Sequence, residues 1–154
     1  MQWTITSKRK TMHTYQNNEL SRFLDPQKFQ YEGALAEMKQ GRKTGHWIWF
    51  IFPQMKGLGH SWQADYYGIS SLGEAKAYLA DPVLGSRLRR ITEAVLSHSD
   101  INAVTLMGSE IDALKLRSSM TLFDAASPED IFGQVLDLFF GGERDQRSLE
   151  LISH

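Results

Sequence analysis

One stretch of the sequence places several hydrogen-bond donors next to a run of aromatic residues. Residues 41–59 read GRKTGHWIWFIFPQMKGLG, with Arg42, Lys43 and His46 before the aromatic residues and Gln54 after them. The glycines that close the stretch add flexible backbone whose N–H groups can approach an anion. Donors beside aromatic faces suit a nucleotide or a sugar phosphate, because small-molecule sites combine apolar walls with a few polar groups. The pattern predicts that Arg42 and Gln54 contact such a ligand.

The two tryptophans of this stretch allow two interpretations. Aromatic side chains bury roughly 150–250 Å² each, so a small domain gains stability from them without any ligand. We predict that packing alone accounts for Ile48 and for residues 50–52. Trp47 and Trp49 stay open between a place in the core and a place in the wall of a ligand site, where an indole would stack against a ring of the ligand.

His46 is the best acid or base candidate of the stretch, because an imidazole titrates near neutral pH. A lone histidine beside an apolar run is also a common structural group that hydrogen-bonds to the backbone, so both roles stay open. The five histidines lie at positions 13, 46, 60, 98 and 154, without HExxH or any other paired-ligand spacing. The sequence therefore predicts no metal site.

A second stretch, residues 109–124, places polar residues on one face of a helix. Asp112, Lys115 and Ser119 share that face because they are three and four positions apart. Two apolar stripes flank this polar strip, formed by Leu116, Met120 and Phe123 on one side and by Ile111, Leu114 and Leu122 on the other. A helix that is apolar on both sides is predicted to be largely buried. Its polar strip then requires partners or a water-filled cleft.

Two roles for this polar strip stay open. Asp112 and Lys115 can form an i,i+3 ion pair that is solvated or bonded to a neighbouring loop, a contact worth roughly 0.2–0.5 kcal/mol. Alternatively, Lys115 and Ser119 line a cleft in which Asp112 orients the lysine or acts as a base. On the second interpretation Lys115 and Ser119 bind the ligand, and Asp112 joins His46 as a candidate catalytic residue.

Helix start signals recur along the chain and predict the elements that must position these residues. The signals are Asp25-Pro26, the capping box from Ser71 to Glu74, Asp81-Pro82, Ser109, the turn from Ser127 to Asp130, and Asp145. Only residues 46–53 favour a strand, and their apolar residues on both alternating faces do not distinguish a strand from a buried helical turn. We therefore predict an all-α fold, a single compact domain of about six or seven helices.

The composition is that of one ordinary globular domain. The chain has 154 residues, a formal net charge of −1 and no cysteine. This charge gives no reason to expect nonspecific binding to nucleic acid, and the lack of cysteine excludes disulfides and thiolate metal ligands. The apolar run at residues 47–53 is too short to span a membrane, and the N-terminus lacks the apolar core of a secretory signal. We predict a cytoplasmic protein with a flexible extension at residues 1–18 and a globular domain at residues 19–154.

The leading hypothesis for function is a small-molecule site, for a nucleotide-like or sugar-phosphate ligand, where residues 46–54 face the polar strip of residues 112–119. The chemistry of an enzyme here would be hydrolysis or transfer at a glycosidic or phosphate-bearing carbon, as in an N-glycoside. No P-loop, GxSxG or dinucleotide fingerprint occurs, so we predict no cofactor. The alternative is a non-enzymatic module that docks an unknown protein partner. A third hypothesis, nucleic-acid binding through residues 42–47, predicts salt-sensitive binding.

Several motifs together resemble one family of proteins. They are HWIWFIFPQ at 46–54, GLGxS at 57–61, YGISSLGEAxAYL at 67–79, DPVLGxRL at 81–88 and DxLKLRSSMTLF at 112–123. From about residue 20 to its end, the chain resembles the bacterial domain-of-unknown-function family 1810. The resemblance implies a compact, mainly α-helical domain and brings no established activity. The motif residues that it implies include His46, Trp47, Trp49, Phe50, Pro53, Gln54, Lys115 and Ser119.

Overall fold

Residues 2–153 are described by a computed structural model, which includes the side chains of residues 19–153. Between residues 2 and 153 the chain forms nine helices and no strand, so the predicted all-α domain is confirmed. The helices are α1 (Gln2–Gln40), α2 (Ile48–Ile51), α3 (Trp62–Tyr66), α4 (Leu72–Ala80), α5 (Leu84–Leu96), α6 (Ala103–Met107), α7 (Glu110–Ala126), α8 (Ile131–Phe140) and α9 (Gln146–Ile152). The predicted flexible extension at residues 1–18 lies outside the part of the chain whose side chains are described, and it stays a prediction.

Side-chain caps begin most of these helices where the sequence predicts them. The hydroxyl of Ser71 accepts the N–H of Glu74 at 3.1 Å, and the hydroxyl of Ser109 accepts the N–H of Asp112 at 3.1 Å. Carboxylates bond the first N–H groups of α5, α8 and α9 in the same way, and they belong to Asp81, Asp130 and Asp145. Each cap satisfies a backbone donor that has no partner inside its helix, which fixes where the helix starts.

The predicted helix start at Asp25 is wrong, because α1 runs through this point with Pro26 inside it. A proline within a helix removes one backbone hydrogen bond and usually bends or ends the helix. Here the helix continues because its buried face packs on both sides of the proline. Phe23 is fully buried, and Gln27, which is 2% exposed, donates from its amide to the carbonyl of Phe50 at 2.7 Å. Packing of this face outweighs the lost bond.

The structure decides the local conformation of residues 46–53, which form a turn followed by the short helix α2. Ile48, Phe50, Ile51 and Phe52 are all 5% exposed or less, which confirms that they pack in the core. Beyond α2 the chain is extended, and Met55 pairs with Ile69 in an isolated parallel bridge. This bridge fixes the end of the aromatic segment against the chain that leads into α4.

Helix α7 is central to the fold, since it packs against α2, α4, α6, α8 and α9. Its stripe of Leu116, Met120 and Phe123 is fully buried, as predicted. The second stripe is only partly as predicted, because Leu122 is buried but Ile111 and Leu114 are 67% and 48% exposed. The first turns of α7 lie beside a groove that α6 and α8 do not close. Burial of this helix is therefore complete only at residues 118–123.

Candidate functional site

The turn before the aromatic segment is built around the carboxylate of Glu37, in the last turns of α1. Its Oε1 atom accepts the N–H of Thr44 at 2.8 Å, the N–H of Gly45 at 2.9 Å and the indole N–H of Trp47 at 2.9 Å. Trp47 is 2% exposed, so its polar atom has a partner although the ring is buried. Three donors on one oxygen fix both the turn and the direction of the indole.

These hydrogen bonds also set the acidity of Glu37. Its partial burial favours the neutral acid and acts to raise the pKa, but the donors from Gly45, Thr44 and Trp47 outweigh this effect. The pKa of Glu37 therefore lies below its ordinary value of 4.5. The group is a carboxylate at neutral pH, which is the form that accepts all three bonds.

Lys43 joins the turn to α7. Its Nζ atom lies 2.7 Å from Oδ2 of Asp112 and donates to the carbonyl of Gly45 at 2.6 Å. The same ammonium group lies 4.9 Å from the ring centroid of Trp47, a cation–π distance. Only 5% of the Lys43 side chain is exposed, so this ion pair is largely shielded from solvent. The sequence hypothesis paired Asp112 with Lys115, and the structure shows that Lys43 is the closer basic group.

The aromatic segment and the polar strip of α7 face each other, as the leading hypothesis requires. The Nζ atom of Lys115 lies 5.0 Å from the ring centroid of Trp49 and 3.9 Å from Oδ1 of Asp112. A quarter of the Lys115 side chain is exposed, so the contact is at the edge of the core. We call Trp49, Asp112, Lys115 and Ser119 the α2–α7 cluster.

Two polar atoms of the α2–α7 cluster are buried without a partner among the described residues. They are the indole Nε1 of Trp49 and the hydroxyl of Ser119. Ser119 is completely buried, one helical turn beyond Lys115 on α7. Buried polar groups are hydrogen-bonded in the large majority of cases, and an unsatisfied one costs about 1–3 kcal/mol. Two such atoms on facing helices are a departure from ordinary core packing.

Gln54 lines a narrow crevice next to the α2–α7 cluster. The residue is 9% exposed, and Trp49, Gln63 and Tyr67 line the same crevice. The backbone carbonyl of Gln54 accepts the N–H of Ile69 at 2.9 Å, which fixes the position of the residue. Gln54 and Trp49 therefore line the same crevice, and the ligand-binding role of Gln54 stays a prediction.

Two of the predicted site residues, Arg42 and His46, lie exposed at the turn before the aromatic segment. Arg42 is exposed, and its backbone N–H bonds to the carbonyl of Glu37 at 3.0 Å. His46 is exposed and makes no hydrogen bond or ion pair within the described side chains. Both residues are close to the cluster along the chain, at the turn that Glu37 holds. Their roles stay predictions.

The described residues include neither a cluster of metal-ligating side chains nor a membrane-spanning helix. They contain no group of three or more His, Asp or Glu side chains that could hold a metal ion. Among the helices of residues 2–153, none has both the length and the apolar character needed to cross a bilayer. Cytoplasmic location and the lack of a cofactor stay predictions.

The motifs that form this site are those of a known family. The family described as "Protein of unknown function (DUF1810)" matches residues 17–152. The chain belongs to the DUF1810 family. It is also similar to a crystal structure of a conserved hypothetical protein from Mycobacterium tuberculosis, with 42% identity and a TM-score of 0.85 over 88% of this chain and 97% of that chain. No curated protein matches the chain.

Within this DUF1810 domain, sequence reasoning missed two residues that organise the site. Glu37 lies seven positions before its first partner, Thr44, and only the reversal of the chain after Gly41 brings them together. Lys43 and Arg42 are neighbours of similar chemistry, and no spacing in the sequence distinguishes the buried one. The difference between them comes from a backbone hydrogen bond, which the Lys43 N–H donates to the carbonyl of Leu106 at 2.8 Å. This bond turns Lys43 toward the core.

Proposed function

We propose that the domain binds a small anionic molecule, nucleotide-like or a sugar phosphate, at the α2–α7 cluster. The observation that carries the proposal is the pair of buried, unpartnered polar atoms, Nε1 of Trp49 and the hydroxyl of Ser119. A ligand with hydrogen-bond acceptors would satisfy the indole N–H, and the Ser119 hydroxyl could donate or accept. Binding would then remove a cost that the free domain bears.

The charges of the cluster support an anionic ligand. Asp112 has its close partner in Lys43 at 2.7 Å, whereas Lys115 lies 3.9 Å from the same carboxylate. Lys43 therefore neutralises Asp112, and the partly exposed Lys115 can attract an anion. The ring of Trp49 holds the Lys115 ammonium group at 5.0 Å, which directs it along the indole face. A phosphate bound here would gain charge-assisted hydrogen bonds.

The enzymatic form of the proposal assigns acid–base roles to Asp112 and His46. Asp112 is the carboxylate nearest to Lys115, and His46 lies at the exposed turn before Trp47. A carboxylate of this kind can orient a water molecule for attack on a glycosidic or phosphate-bearing carbon, and the imidazole can protonate a leaving group. Binding without chemistry is the simpler form, and it requires only Trp49, Lys115 and Ser119.

A thermal-shift screen tests the proposal with ADP-ribose, nucleoside monophosphates and ribose 5-phosphate as probes. A compound at about 100 times its Kd stabilises the native state by about 2.7 kcal/mol. For a domain of this size that corresponds to a rise in Tm of about 5–10 °C. We expect at least one probe to stabilise the natural protein and Lys76→Ala, which alters an exposed lysine on α4, but not Lys115→Ala. Equal stabilisation of Lys115→Ala would place binding elsewhere, and no stabilisation by any probe would contradict the proposal.

Ser119→Ala separates a binding role from a packing role. Since the hydroxyl is buried without a partner, its removal is expected to raise the free energy of unfolding of the unliganded domain by about 1 kcal/mol. The same variant is expected to lose part of its response to the stabilising probe. Ser118→Ala is the matched control, because the Ser118 hydroxyl bonds to Asp145 at 3.1 Å and its loss is expected to destabilise the domain. If chemical denaturation shows Ser119→Ala to be as destabilised as Ser118→Ala, the hydroxyl has a structural role.

A further inference from the structure

A second surface is an open apolar groove between α6, the start of α7 and the end of α8. It shares no lining residue with the α2–α7 cluster. It has a volume of about 520 Å³, and its apolar walls include Val104, Leu114, Phe139 and Phe140. Glu110 is the one charged residue among those that line it. We call it the α6–α8 groove.

The α6–α8 groove is surrounded by side chains that a folded domain normally buries. Val104 and Leu114 line it, and they are 46% and 48% exposed. Ile111 lies one turn before Leu114, at 67% exposure. These three are among the eight large hydrophobic residues that are exposed in the described part of the chain. Clustering of this kind marks an interaction surface, whereas single exposed apolar residues carry no such meaning.

The charged residue that lines the α6–α8 groove is acidic, and so are the charged residues of the chain that leads into it. Residues 91–114 contain four acidic residues and neither lysine nor arginine. Asp112 forms an ion pair with Lys43, whereas Glu110 is exposed at the groove and Asp100 is exposed just before α6. A partner that fits this rim carries positive charge.

The same charge argues against a second copy of this chain as the occupant. A two-fold symmetric dimer brings the same surface patch of both subunits together. Pairing through the α6–α8 groove would set Glu110 near its own copy, and like charges across an interface disfavour association.

From these observations we propose that the α6–α8 groove docks an amphipathic helix of a partner protein, apolar on one face and flanked by lysine or arginine. Apolar side chains at i, i+3, i+4 and i+7 of the partner would enter the groove beside Leu114 and Phe140. Basic side chains next to this face would meet Glu110. This surface and its occupant are independent of the ligand proposed for the α2–α7 cluster.

Two designed peptides test the proposal by fluorescence anisotropy with the full-length protein. Both carry leucine at i, i+3, i+4 and i+7 of a helical sequence, and they differ only in having lysine or glutamate at the flanking positions. We expect the lysine peptide to bind at least about tenfold more tightly than the glutamate peptide, and Glu110→Lys to reduce or reverse this preference. Equal binding of the two peptides, or no binding of either, would overturn the proposal.

Variants of the exposed apolar residues Ile111 and Leu114 locate the binding. Leu114→Ser and Ile111→Ser change exposed side chains, so the fold is expected to survive, and each is expected to weaken binding of the lysine peptide by about five- to tenfold. Val83→Ser is the matched control, since Val83 is 42% exposed and lies at the start of α5. Its replacement is expected to leave binding unchanged. Unchanged affinity in Leu114→Ser and Ile111→Ser, or a concentration-dependent dimer that Leu114→Ser dissociates, would show that this proposal is wrong.

Discussion

Replacing Glu37 with alanine is expected to lower the free energy of unfolding by about 3 kcal/mol, one of the two largest effects of a single substitution that we predict. The variant loses three hydrogen bonds on one carboxylate oxygen, from Thr44, Gly45 and the buried indole of Trp47. The indole N–H is then left without its partner inside the core. Chemical denaturation at neutral pH measures the effect, and Glu32→Ala, at an exposed position of the same helix, is the matched control with little expected change.

The Glu37 contribution is also expected to depend on pH. The pKa of Glu37 in the folded protein lies below its ordinary value of 4.5. The carboxylate therefore stabilises the fold fully above that ordinary value, and its contribution is lost as the pH falls through the lowered folded-state pKa. The stability difference between the natural protein and Glu37→Gln should be largest near neutral pH and should shrink in acid. A difference that is constant down to acid pH would show that Glu37 does not act as a carboxylate.

Replacing Gly85 with alanine is the second substitution with a large expected effect, a loss of about 3 kcal/mol or more. A Cβ atom at Gly85 would clash with the backbone carbonyl oxygen of Leu79, so α4 and α5 would have to move apart. Gly33→Ala is the matched control, because nothing lies within 4 Å of a Cβ at this exposed helical position. Alanine there is expected to stabilise the domain by about 1 kcal/mol.

Thermal unfolding of the two glycine variants gives opposite signs if the close approach of α4 and α5 is real. Similar effects of the two substitutions, or a stabilised Gly85→Ala, would contradict the close approach. The comparison is sensitive because both residues are helical glycines, so the gain in helix propensity is common to both variants and only the contact differs.

The helices of the domain were predictable where a local capping group starts them. Ser71, Ser109, Asp130 and Asp145 each bond a backbone N–H within three positions in the chain, so the sequence contains the whole signal. The start of α1 was not predictable in this way. Pro26 looks like a first helical residue, and only packing of Phe23 and Gln27 against distant parts of the chain carries the helix through it.

The candidate site was predictable in outline and not in its supporting residues. Helical geometry places Asp112, Lys115 and Ser119 on one face, because they are three and four positions apart. Placing this face against Trp49 was the simplest arrangement that joined the two motifs. The roles of Glu37 and Lys43 depend on a chain reversal and on backbone bonds to another helix, which have no signature in the sequence. The same limit explains the exposed Ile111 and Leu114, because periodicity predicts an apolar face without showing whether a neighbouring helix covers it.

The central claim is that Trp49 and the facing side of α7 form one ligand site, and the indole N–H of Trp49 reports on it directly. Two-dimensional ¹H–¹⁵N NMR resolves the indole signals of the four tryptophans, and Trp49→Phe assigns the one of interest. During titration with the probe that stabilises the protein most, we expect a saturable shift of the Trp49 indole signal as its N–H gains an acceptor. The Trp47 indole, already bonded to Glu37, should move little, and Lys115→Ala should abolish the Trp49 response. A Trp49 signal that stays in place while the protein is saturated with the probe would contradict the claim. The failure of every probe to bind would contradict it as well.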